Sequence, residues 1–449
     1  MNEGKNRLVP KIGIATLSSP LEVGADKADA MAELFAGKFI SAGCEVIKLG
    51  SVRSPEDSRR AGRKLYDERA DALLAVPVCW YEDYLIIDLL EEWRGPLFLW
   101  PLPGIETGAL CGAQQNMSFL KKLKYPVGYA FGKIEDEKCV EKAMRFFRAS
   151  ALGKIMRRAK IGLAGHRVPG MTHTSPNEFM LKRDIGPRVV YFDLPEILAG
   201  IEQESEIKAR EKWNELVKKA GACNVQEVEG IYSIKMYFAL KKVIEKEELD
   251  AIAIGCYPKL MGKVCIAASL LADEGIPLAC EGDVNGAAAM LVLRLLSNGA
   301  VHNCDWLEPL EENTVLFTHC GSGSFSLSEK KEDIRLESVR LMGQGVCAQF
   351  PSRPGPVTLL NLTPGDDSYF CAVLEGEAVK TEMLFPGNPL KVRFKTPVGE
   401  INDWIFANGL GHHWMAAYGN YSEEINQWRN IENRSCCCFC HMIKSVEFH

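Results

Sequence analysis

Two carboxylates lie one residue apart where a buried strand is expected to end. Glu281 and Asp283 follow the apolar run 277–279 and precede a helical stretch that begins near Asn285. In an open α/β sheet, ligands bind outside the carboxyl ends of the strands, and carboxylates at that edge can bind a hard divalent cation or move a proton. Taken alone, Asp283 is explained slightly better as the N-cap of the helix.

A pair of adjacent histidines, His412 and His413, lies in a segment that also contains glycine and the aromatic residue Trp414. Imidazoles in such a segment suit metal binding or proton transfer. Because adjacent side chains of an extended chain point in opposite directions, we expect one of the two histidines to reach any given site. A surface loop, or a histidine packed on Trp414, explains the segment about equally well.

Two further polar segments lie where strands are expected to end. The loop 165–170 contains glycine and proline, which fix a tight turn, and its Arg167 can bind an anionic or hydroxyl-rich group. An ordinary connection between a strand and a helix explains that loop about as well. The backbone amides of the segment 319–323 could bind an anion, but a turn between two strands is favoured, with His319 at most an indirect contributor to a site.

The elements that must position these residues change along the chain. Over residues 1–158, and again over 159–300, short apolar runs alternate with helical segments, which predicts parallel sheets covered by helices. After residue 300, short alternating runs separated by glycine and proline predict an antiparallel sheet or barrel over 301–449. The predicted fold class is therefore α/β, with two doubly wound α/β domains followed by a β-barrel-like C-terminal domain.

The composition argues against nucleic-acid and membrane partners. The chain of 449 residues is 47% hydrophobic and 25% charged, with a formal net charge of -6. Because no region is strongly basic, a nucleic-acid partner is not expected. No apolar run is long enough to span a membrane, and the first residues lack the apolar core of a signal peptide, so we expect a cytoplasmic protein without a membrane partner.

The cysteines and the missing motifs exclude other classes. The chain contains 16 cysteines, most of them inside apolar runs, which predicts buried free thiols rather than a disulfide scaffold. The tail 436–440 has three consecutive cysteines, which cannot easily converge on one tetrahedral ion, so a thiol-rich segment is favoured over a zinc site. The sequence lacks the glycine-rich motifs of NAD and ATP sites and the nucleophile elbow of hydrolases.

Four segments, taken together and in this order, resemble the L-fucose/L-arabinose isomerase superfamily, in particular its fucose-isomerase-like members. They are the loop 165–171, Ile254-Gly-Cys-Tyr-Pro-Lys259, the segment 270–290 containing CEGDVNGAAAM, and GHHWMAAYG at 411–419. The resemblance implies an aldose–ketose isomerase that uses a divalent metal, typically manganese. In that chemistry an ene-diol forms, and the metal stabilises its negative charge. Two α/β domains and a barrel-like third domain are also implied.

The same resemblance implies roles for individual residues. It assigns metal binding to Asp283 and His413. Members of the family often form trimers or hexamers in which the N-terminal domain of a neighbour closes the site, so a homo-oligomer is expected. The residues expected to contact the sugar are Trp80, Gln115, Asn116, Arg167, His412 and Trp414.

One position departs from the family pattern. Lys259 follows Pro258 where the family carries a glutamate that binds the metal and moves protons, and a protonated lysine cannot bind a cation. Three explanations are open. Glu281 replaces that glutamate, or Lys259 acts as acid/base or holds an anionic group of the substrate, or the chain binds sugars without catalysis. A mismatch of one or two residues in the comparison would also account for the difference.

The predicted function is that of an aldose–ketose sugar isomerase with Asp283, Lys259 and Glu281 as catalytic residues and Mn²⁺ as the cofactor. An anionic sugar, such as a sugar sulfonate or a sugar acid, is the substrate that Lys259 and Arg167 would favour. The alternative from another class is a non-catalytic sugar-binding protein on the same scaffold. A lyase or an epimerase that shares the ene-diol step is a further alternative.

Overall fold

A computed structural model describes residues 8–432 and 437–438. Its internal contacts divide the chain into two compact units. The N-terminal unit runs from residue 8 to Ile155 and includes residues 423–432, and the central unit contains residues 156–422 and 437–438. The division into three domains, 1–158, 159–300 and 301–449, stays a prediction.

The N-terminal unit is built around a parallel sheet with helices on both faces. Its strands are β1 Lys11–Leu17, β2 Glu45–Val52, β3 Ala72–Pro77, β4 Leu97–Leu99 and β5 Val127–Tyr129, and its helices are α1 Ala28–Ser41, α2 Pro55–Asp67, α3 Tyr84–Glu92, α4 Ala109–Lys122 and α5 Glu137–Met156. The strand order is β2-β1-β3-β4-β5, all parallel. Strand β3 is buried along its whole length, as expected of a strand covered on both faces. The parallel sheet that the alternating pattern predicts is therefore present.

The central unit contains the remaining elements. Its strands are β6 Lys160–Ala164, β7 Arg188–Phe192, β8 Ala222–Cys223, β9 Ala251–Ile254, β10 Leu278–Ala279, β11 Val301–Leu310, β12 Thr314–Thr318, β13 Arg335–Glu337, β14 Cys347–Gln349, β15 Gly355–Pro364, β16 Tyr369–Val379, β17 Leu390–Arg393, β18 His413–Tyr418 and β19 Cys437–Cys438. Its helices are α6 Glu178–Met180, α7 Leu194–Glu202, α8 Glu206–Lys219, α9 Glu227–Glu247, α10 Cys265–Asp273, α11 Val284–Ser297 and α12 Val398–Ala407, with a π-helical turn at Leu181–Ile185. A last helix, α13 Ser422–Ile431, begins at the final residue of this unit and otherwise belongs to the N-terminal unit.

Two sheets of the central unit carry most of its core. The first is parallel, in the order β10-β9-β6-β7, and the second is antiparallel, in the order β15-β18-β11-β12-β17-β16 with β19 at its end. Strand β16 pairs with β15 as well as with β17, so the ladder returns to the strand at which it began. A small third sheet has the order β14-β13-β8. The parallel and antiparallel sheets predicted for this part of the chain are both present.

Helix α11 lies between the two large sheets and contacts strands of both, including β9 of the parallel sheet and β18 and β15 of the antiparallel one. Its sequence, VNGAAAMLVLRLLS, is rich in alanine and leucine, and almost every residue is buried. Such a helix can be enclosed on all sides because it presents no charged face. Within the described residues, no helix has both the length and the apolar character needed to cross a membrane.

Candidate active site

The turn that follows β10 holds Glu281 in an uncommon backbone conformation. Glu281 has φ 64° and ψ 15°, a left-handed conformation that costs a non-glycine residue about 1–3 kcal/mol and that clusters at functional sites. Gly282 follows with φ 69°, and a Cβ atom there would come within 2.8 Å of Arg167 Cα, so the position requires glycine. The backbone N–H of Val168 donates to the Glu281 carbonyl at 3.1 Å. The loop 165–170 therefore packs on this turn and fixes it.

Asp283 serves the helix and a histidine at the same time. Its Oδ1 accepts a hydrogen bond from the Gly286 N–H at 2.8 Å, which makes it the N-cap of α11, as the simplest explanation of the sequence predicts. Its Oδ2 lies 2.8 Å from His413 Nδ1. Both side chains are buried, with 3% of Asp283 and 4% of His413 exposed. The start of α11 thus fixes the orientation of the His413 ring.

The other ring nitrogen of His413 faces two more carboxylates. His413 Nε2 lies 3.1 Å from Glu281 Oε2 and 3.6 Å from Asp305 Oδ1. Burial disfavours the charged imidazolium, but the hydrogen bonds with Asp283 and Glu281 outweigh it and raise the pKa of His413 to about 10. Burial also disfavours the Glu281 carboxylate, yet the hydrogen bond from His413 and the neighbouring imidazoles lower the pKa of Glu281 below its usual value. These groups therefore favour the charged imidazolium and carboxylate forms.

Two buried amide side chains hold the histidine segments in place. Asn361, on β15, donates from Nδ2 to the His413 carbonyl at 2.7 Å and to the Gly411 carbonyl at 3.1 Å. Asn285, in the first turn of α11, donates to the His173 carbonyl at 3.2 Å, and its Oδ1 accepts the Tyr369 hydroxyl at 2.7 Å. The histidines are consequently supported by hydrogen bonds from α11 and from the antiparallel sheet.

Four imidazoles gather at this place. The ring of His413 lies 4.4 Å from that of His412, 5.9 Å from that of His173 and 6.3 Å from that of His319, measured between centroids. Burial and the nearby His413 lower the pKa values of His173 and His412. Both adjacent histidines reach Asp305 Oδ1, since His412 Nε2 is 4.0 Å away from it. The expectation that only one of them reaches a given site was wrong, because β18 begins at His413 and residue 412 precedes the regular strand.

The oxygen and nitrogen atoms of this cluster are able to hold a divalent cation. One ligand atom each from Glu281, His319 and His413 lies within 4.8 Å of the other two, and Asp305, His412 and His413 form a second such group. Asp305 Oδ1 is buried without a hydrogen-bond partner among the described residues. A buried carboxylate oxygen usually has a partner, so this atom fits a place beside a cation or a substrate hydroxyl. Carboxylate oxygens and imidazole nitrogens are donors that suit Mn²⁺ and related ions.

A cavity of about 150 Å³ opens beside the cluster. Glu281, Asp305 and His319 line it together with Arg340, whose guanidinium carbon lies 4.7 Å from the centre of the Phe385 ring. Among the described residues, Arg340 forms no ion pair, so its charge is not neutralised by a neighbouring carboxylate. The cavity therefore combines two carboxylates and one histidine with one arginine.

The other residues that the sequence singles out have different surroundings. Lys259 is exposed in the segment after β9, and within the described part of the chain it forms no ion pair. Arg167 is half-buried and donates from Nη1 to the Val168 carbonyl at 3.2 Å. Trp414 is fully buried in an apolar cluster with Trp306 and Phe317, since it follows His413 on β18 and faces away from it.

Three of the residues that are expected to contact the sugar, Trp80, Gln115 and Asn116, belong to the N-terminal unit. Asn116 is buried, and its Oδ1 accepts the Tyr81 hydroxyl at 2.7 Å. Trp80 is half-buried in the segment between β3 and α3, whereas Gln115 is exposed on α4. Their predicted contact with the sugar stays a prediction.

Sequence reasoning did not identify His173, Asp305 or Arg340 as site residues. His173 follows the loop 165–170 closely, which is a signal that could have found it. Asp305 lies on β11, a strand that the hydrophobic pattern does not predict because polar residues interrupt it. Arg340 lies in an irregular segment without a recognisable motif.

No family model matches this chain, but comparison with known proteins finds related sequences. Proteins named sulfoquinovose isomerase from Priestia aryabhattai and Priestia megaterium are each 25% identical to it over 407 residues, which cover 85% of this chain and 89% of the relative. A protein of the same name from Alkalicoccus urumqiensis is 24% identical over 375 residues, covering 81% of this chain and 85% of the relative. The similarity thus extends over most of both chains.

Solved structures give a much weaker likeness. A solute binding protein of a transporter from Burkholderia multivorans covers 65% of this chain with a TM-score of 0.18 and 12% identity. Unliganded arylmalonate decarboxylase covers the same share with a TM-score of 0.15 and 13% identity. Scores this low carry no argument about fold or function.

Proposed function

We propose that this protein is an aldose–ketose isomerase that acts on a sulfosugar. The observation that carries the proposal is a single cavity that joins Glu281, Asp305 and His319 to an unneutralised Arg340, with His413 behind the carboxylates. The relatives named sulfoquinovose isomerase, which match over most of their length, support the same activity and the same class of substrate.

Glu281, His319 and His413 are the residues that would hold the divalent cation, for which Mn²⁺ is our proposal. Their ligand atoms lie close enough together to share one ion. The cation would polarise two oxygens of the sugar and so stabilise negative charge beside the reacting carbons. The Nδ1 of His413 would keep its proton and donate a hydrogen bond to Asp283. This arrangement fixes the ring and makes the other nitrogen a better ligand. The prediction that Asp283 itself binds the cation stays untested, and its two oxygens already serve Gly286 and His413.

Interconversion of an aldose and a ketose requires a proton to move between two neighbouring carbons. Asp305 is the carboxylate that we assign to this step, since the residue lines the cavity and its Oδ1 has no hydrogen-bond partner among the described residues. It would accept the proton from C2 and return it to C1, while the proton of the C2 hydroxyl moves to the C1 oxygen, so that the aldose and the ketose contain the same atoms.

Arg340 is the residue that we assign to the sulfonate group. Its guanidinium presents several N–H donors to an anion with three oxygens, and it packs on Phe385 at the cavity wall. Arg340 is exposed and solvated in the absence of an anion, and a sulfonate would give it a charged partner that a neutral sugar lacks, so the arginine favours sulfonated substrates. The sequence-based alternative, in which Lys259 and Arg167 hold the anion, stays a prediction.

We also propose the superfamily membership and the barrel-like third domain that the sequence predicts. Membership of the L-fucose/L-arabinose isomerase superfamily is supported by the four matching segments, and a barrel-like C-terminal domain by the double pairing of β16. A trimer or hexamer, a cytoplasmic location and the absence of a nucleic-acid partner stay predictions.

Exchange in deuterium oxide tests the proposal directly. The protein is incubated with Mn²⁺ and sulfoquinovose, and the sugar is recovered for NMR and mass spectrometry. We expect a ketose product and deuterium at C2 of the recovered sugar, with neither in the Glu281→Gln variant. Binding of the sugar with neither exchange nor ketose formation would overturn the isomerase and favour the non-catalytic sugar-binding alternative, and a product other than the ketose would indicate a lyase or an epimerase.

A further inference from the structure

A group of thiols lies next to the candidate active site and has no role in the proposed reaction. Cys320 Sγ is 3.8 Å from Cys265 Sγ and 3.2 Å from His319 Nδ1. Cys280, at the end of β10, completes the group, because ligand atoms of Cys280, His319 and Cys320 all lie within 4.8 Å of one another. Buried cysteines are common as small apolar residues, but here the thiols converge on a histidine instead of packing separately.

We propose that Cys280, His319 and Cys320 form a second cation site, which binds a thiophilic divalent ion such as Zn²⁺. Two sulfur atoms and one imidazole nitrogen are the donors that Zn²⁺ prefers, whereas Mn²⁺ prefers oxygen and nitrogen. Zinc–sulfur bonds of about 2.3 Å in a tetrahedron place two sulfur ligands about 3.8 Å apart. The spacing of the three ligand atoms is compatible with that geometry after small side-chain rotations.

The fourth position of such an ion would face the cavity. Cys320 and His319 line the cavity, and so do Cys265 and Cys256 from the surrounding wall. Water would complete the tetrahedron, which gives three protein ligands and one exchangeable position. Hydrogen bonding among the thiols and burial raise the pKa values of Cys320 and Cys280, and a bound cation would displace their protons.

His319 belongs to both the thiol site and the proposed Mn²⁺ site. A Zn²⁺ ion held by the thiols would therefore remove a ligand from the Mn²⁺ site and inhibit the isomerase. This consequence rests on the proposed function, whereas the existence of the thiol site does not. Binding and inhibition are for that reason measured separately.

Cobalt is the probe for the site, because Co²⁺ takes tetrahedral thiolate sites and gives a charge-transfer band in the near ultraviolet. The reduced full-length protein is used in a background in which the four tail cysteines, Cys436, Cys437, Cys438 and Cys440, are replaced by serine. We expect one equivalent of Co²⁺ to give the band and one equivalent of Zn²⁺ to abolish it. Cys280→Ser and Cys320→Ser should each weaken the band, and the double variant should lose it.

Two controls test whether the cobalt band comes from Cys280 and Cys320. Cys111→Ser removes an exposed thiol of the N-terminal unit and should leave the band unchanged. Because a buried Cys→Ser change can impair folding, alkylation with mass-spectrometric readout is also applied to the unsubstituted thiols, and Zn²⁺ should protect Cys320, which is half-buried, whereas Cys280 is already enclosed. A band that persists in the double variant, an unprotected Cys320, or a Cys265–Cys320 disulfide in place of metal binding would overturn the site. Isomerase activity that Zn²⁺ does not inhibit, in a protein that shows the band, would overturn only the competition at His319.

Discussion

Asp283 Oδ2 lies 2.8 Å from His413 Nδ1, while the same aspartate caps α11 through its other oxygen. One carboxylate therefore couples the start of a buried helix to the orientation of an imidazole. The opposite nitrogen of that imidazole faces Glu281 and Asp305, so the direction in which His413 presents a ligand atom depends on Asp283. This relationship resembles the carboxylate–histidine pairs that support metal ligands in other proteins.

Replacing Asp283 by asparagine should weaken cation binding without unfolding the protein. Asparagine caps helices as well as aspartate does, so α11 should persist, whereas the charge that holds the Nδ1 proton of His413 is lost. We expect the affinity for Mn²⁺ to fall about 10- to 100-fold, measured by calorimetry or by the EPR signal of free Mn²⁺. The matched control is Asp184→Asn, another buried aspartate, which pairs with Arg183 and should not change the affinity. Equal affinities in wild type and Asp283→Asn would contradict the role.

Glu281 and Asp305 should differ in what their removal affects. Glu281→Gln should lower both Mn²⁺ affinity and turnover, because Glu281 is assigned to the cation. Asp305→Asn should lower kcat by about 10²- to 10⁴-fold, the usual loss for a group that moves a proton, with a smaller effect on Mn²⁺ affinity. Steady-state kinetics and Mn²⁺ titrations of the two variants give the comparison. If Asp305→Asn retains full kcat, the proton transfer belongs to another residue.

The sequence predicts the parts of this site that lie in compact motifs. Glu281, Asp283 and His413 belong to short segments whose residue types already indicate cation binding or proton transfer, and the structure brings these three side chains into contact. The parallel sheets can also be predicted from the sequence, because apolar strands such as β3 alternate with amphipathic helices. The local sequence pattern is therefore enough to predict a site residue when that residue lies in a short motif at the end of a recognisable strand or helix.

Residues that reach the site through long-range pairing could not be predicted. Asp305 depends on β11 pairing with β18, which sets it opposite His413, and nothing near residue 305 in the sequence indicates that partner. The start of β11 contains His302 and Asn303, which are polar although buried, so the strand lacks an apolar alternation. Arg340 enters the cavity from an irregular segment whose position is set by the tertiary fold alone.

Arg340 should determine the preference for sulfonated over neutral sugars. A hydrogen bond to a charged group contributes about 1.5–3 kcal/mol when buried, and less at an exposed side chain such as Arg340, so Arg340→Met should raise KM for the sulfosugar by up to roughly tenfold. Turnover of a neutral aldose of the same stereochemistry should be unaffected. Arg353→Met is the matched control, since Arg353 also packs on an aromatic ring, that of Tyr418.

Lys259→Met, measured beside the arginine variants, distinguishes the two proposed anion-binding residues. A large rise in KM for the sulfosugar in Lys259→Met, with none in Arg340→Met, would assign the sulfonate to the lysine. Because Lys259 borders no part of the described cavity, whereas Arg340 lines it, we expect the smaller change in Lys259→Met.

His302 should make the folded central unit sensitive to acid. Its Nε2 donates to the Asn388 carbonyl at 2.9 Å, and its Nδ1 is buried without a hydrogen-bond partner among the described residues. Burial lowers the pKa of His302 from 6.5 to about 4 in the folded protein, with a smaller contribution from His319. Between these two values the unfolded chain binds the proton and the folded chain does not. The contribution of His302 to stability is therefore complete above about pH 6.5 and is lost as the pH falls toward 4, by about 1.4 kcal/mol per pH unit.

Urea denaturation at several pH values tests this expectation. The free energy of unfolding of the wild type should fall more steeply between pH 6.5 and 4 than that of His302→Gln, whose amide can still donate to Asn388 but does not titrate. His166→Gln, at an exposed histidine, should keep the slope of the wild type. Parallel curves for the wild type and His302→Gln would mean that His302 titrates alike in the folded and unfolded states, against the effect of its burial.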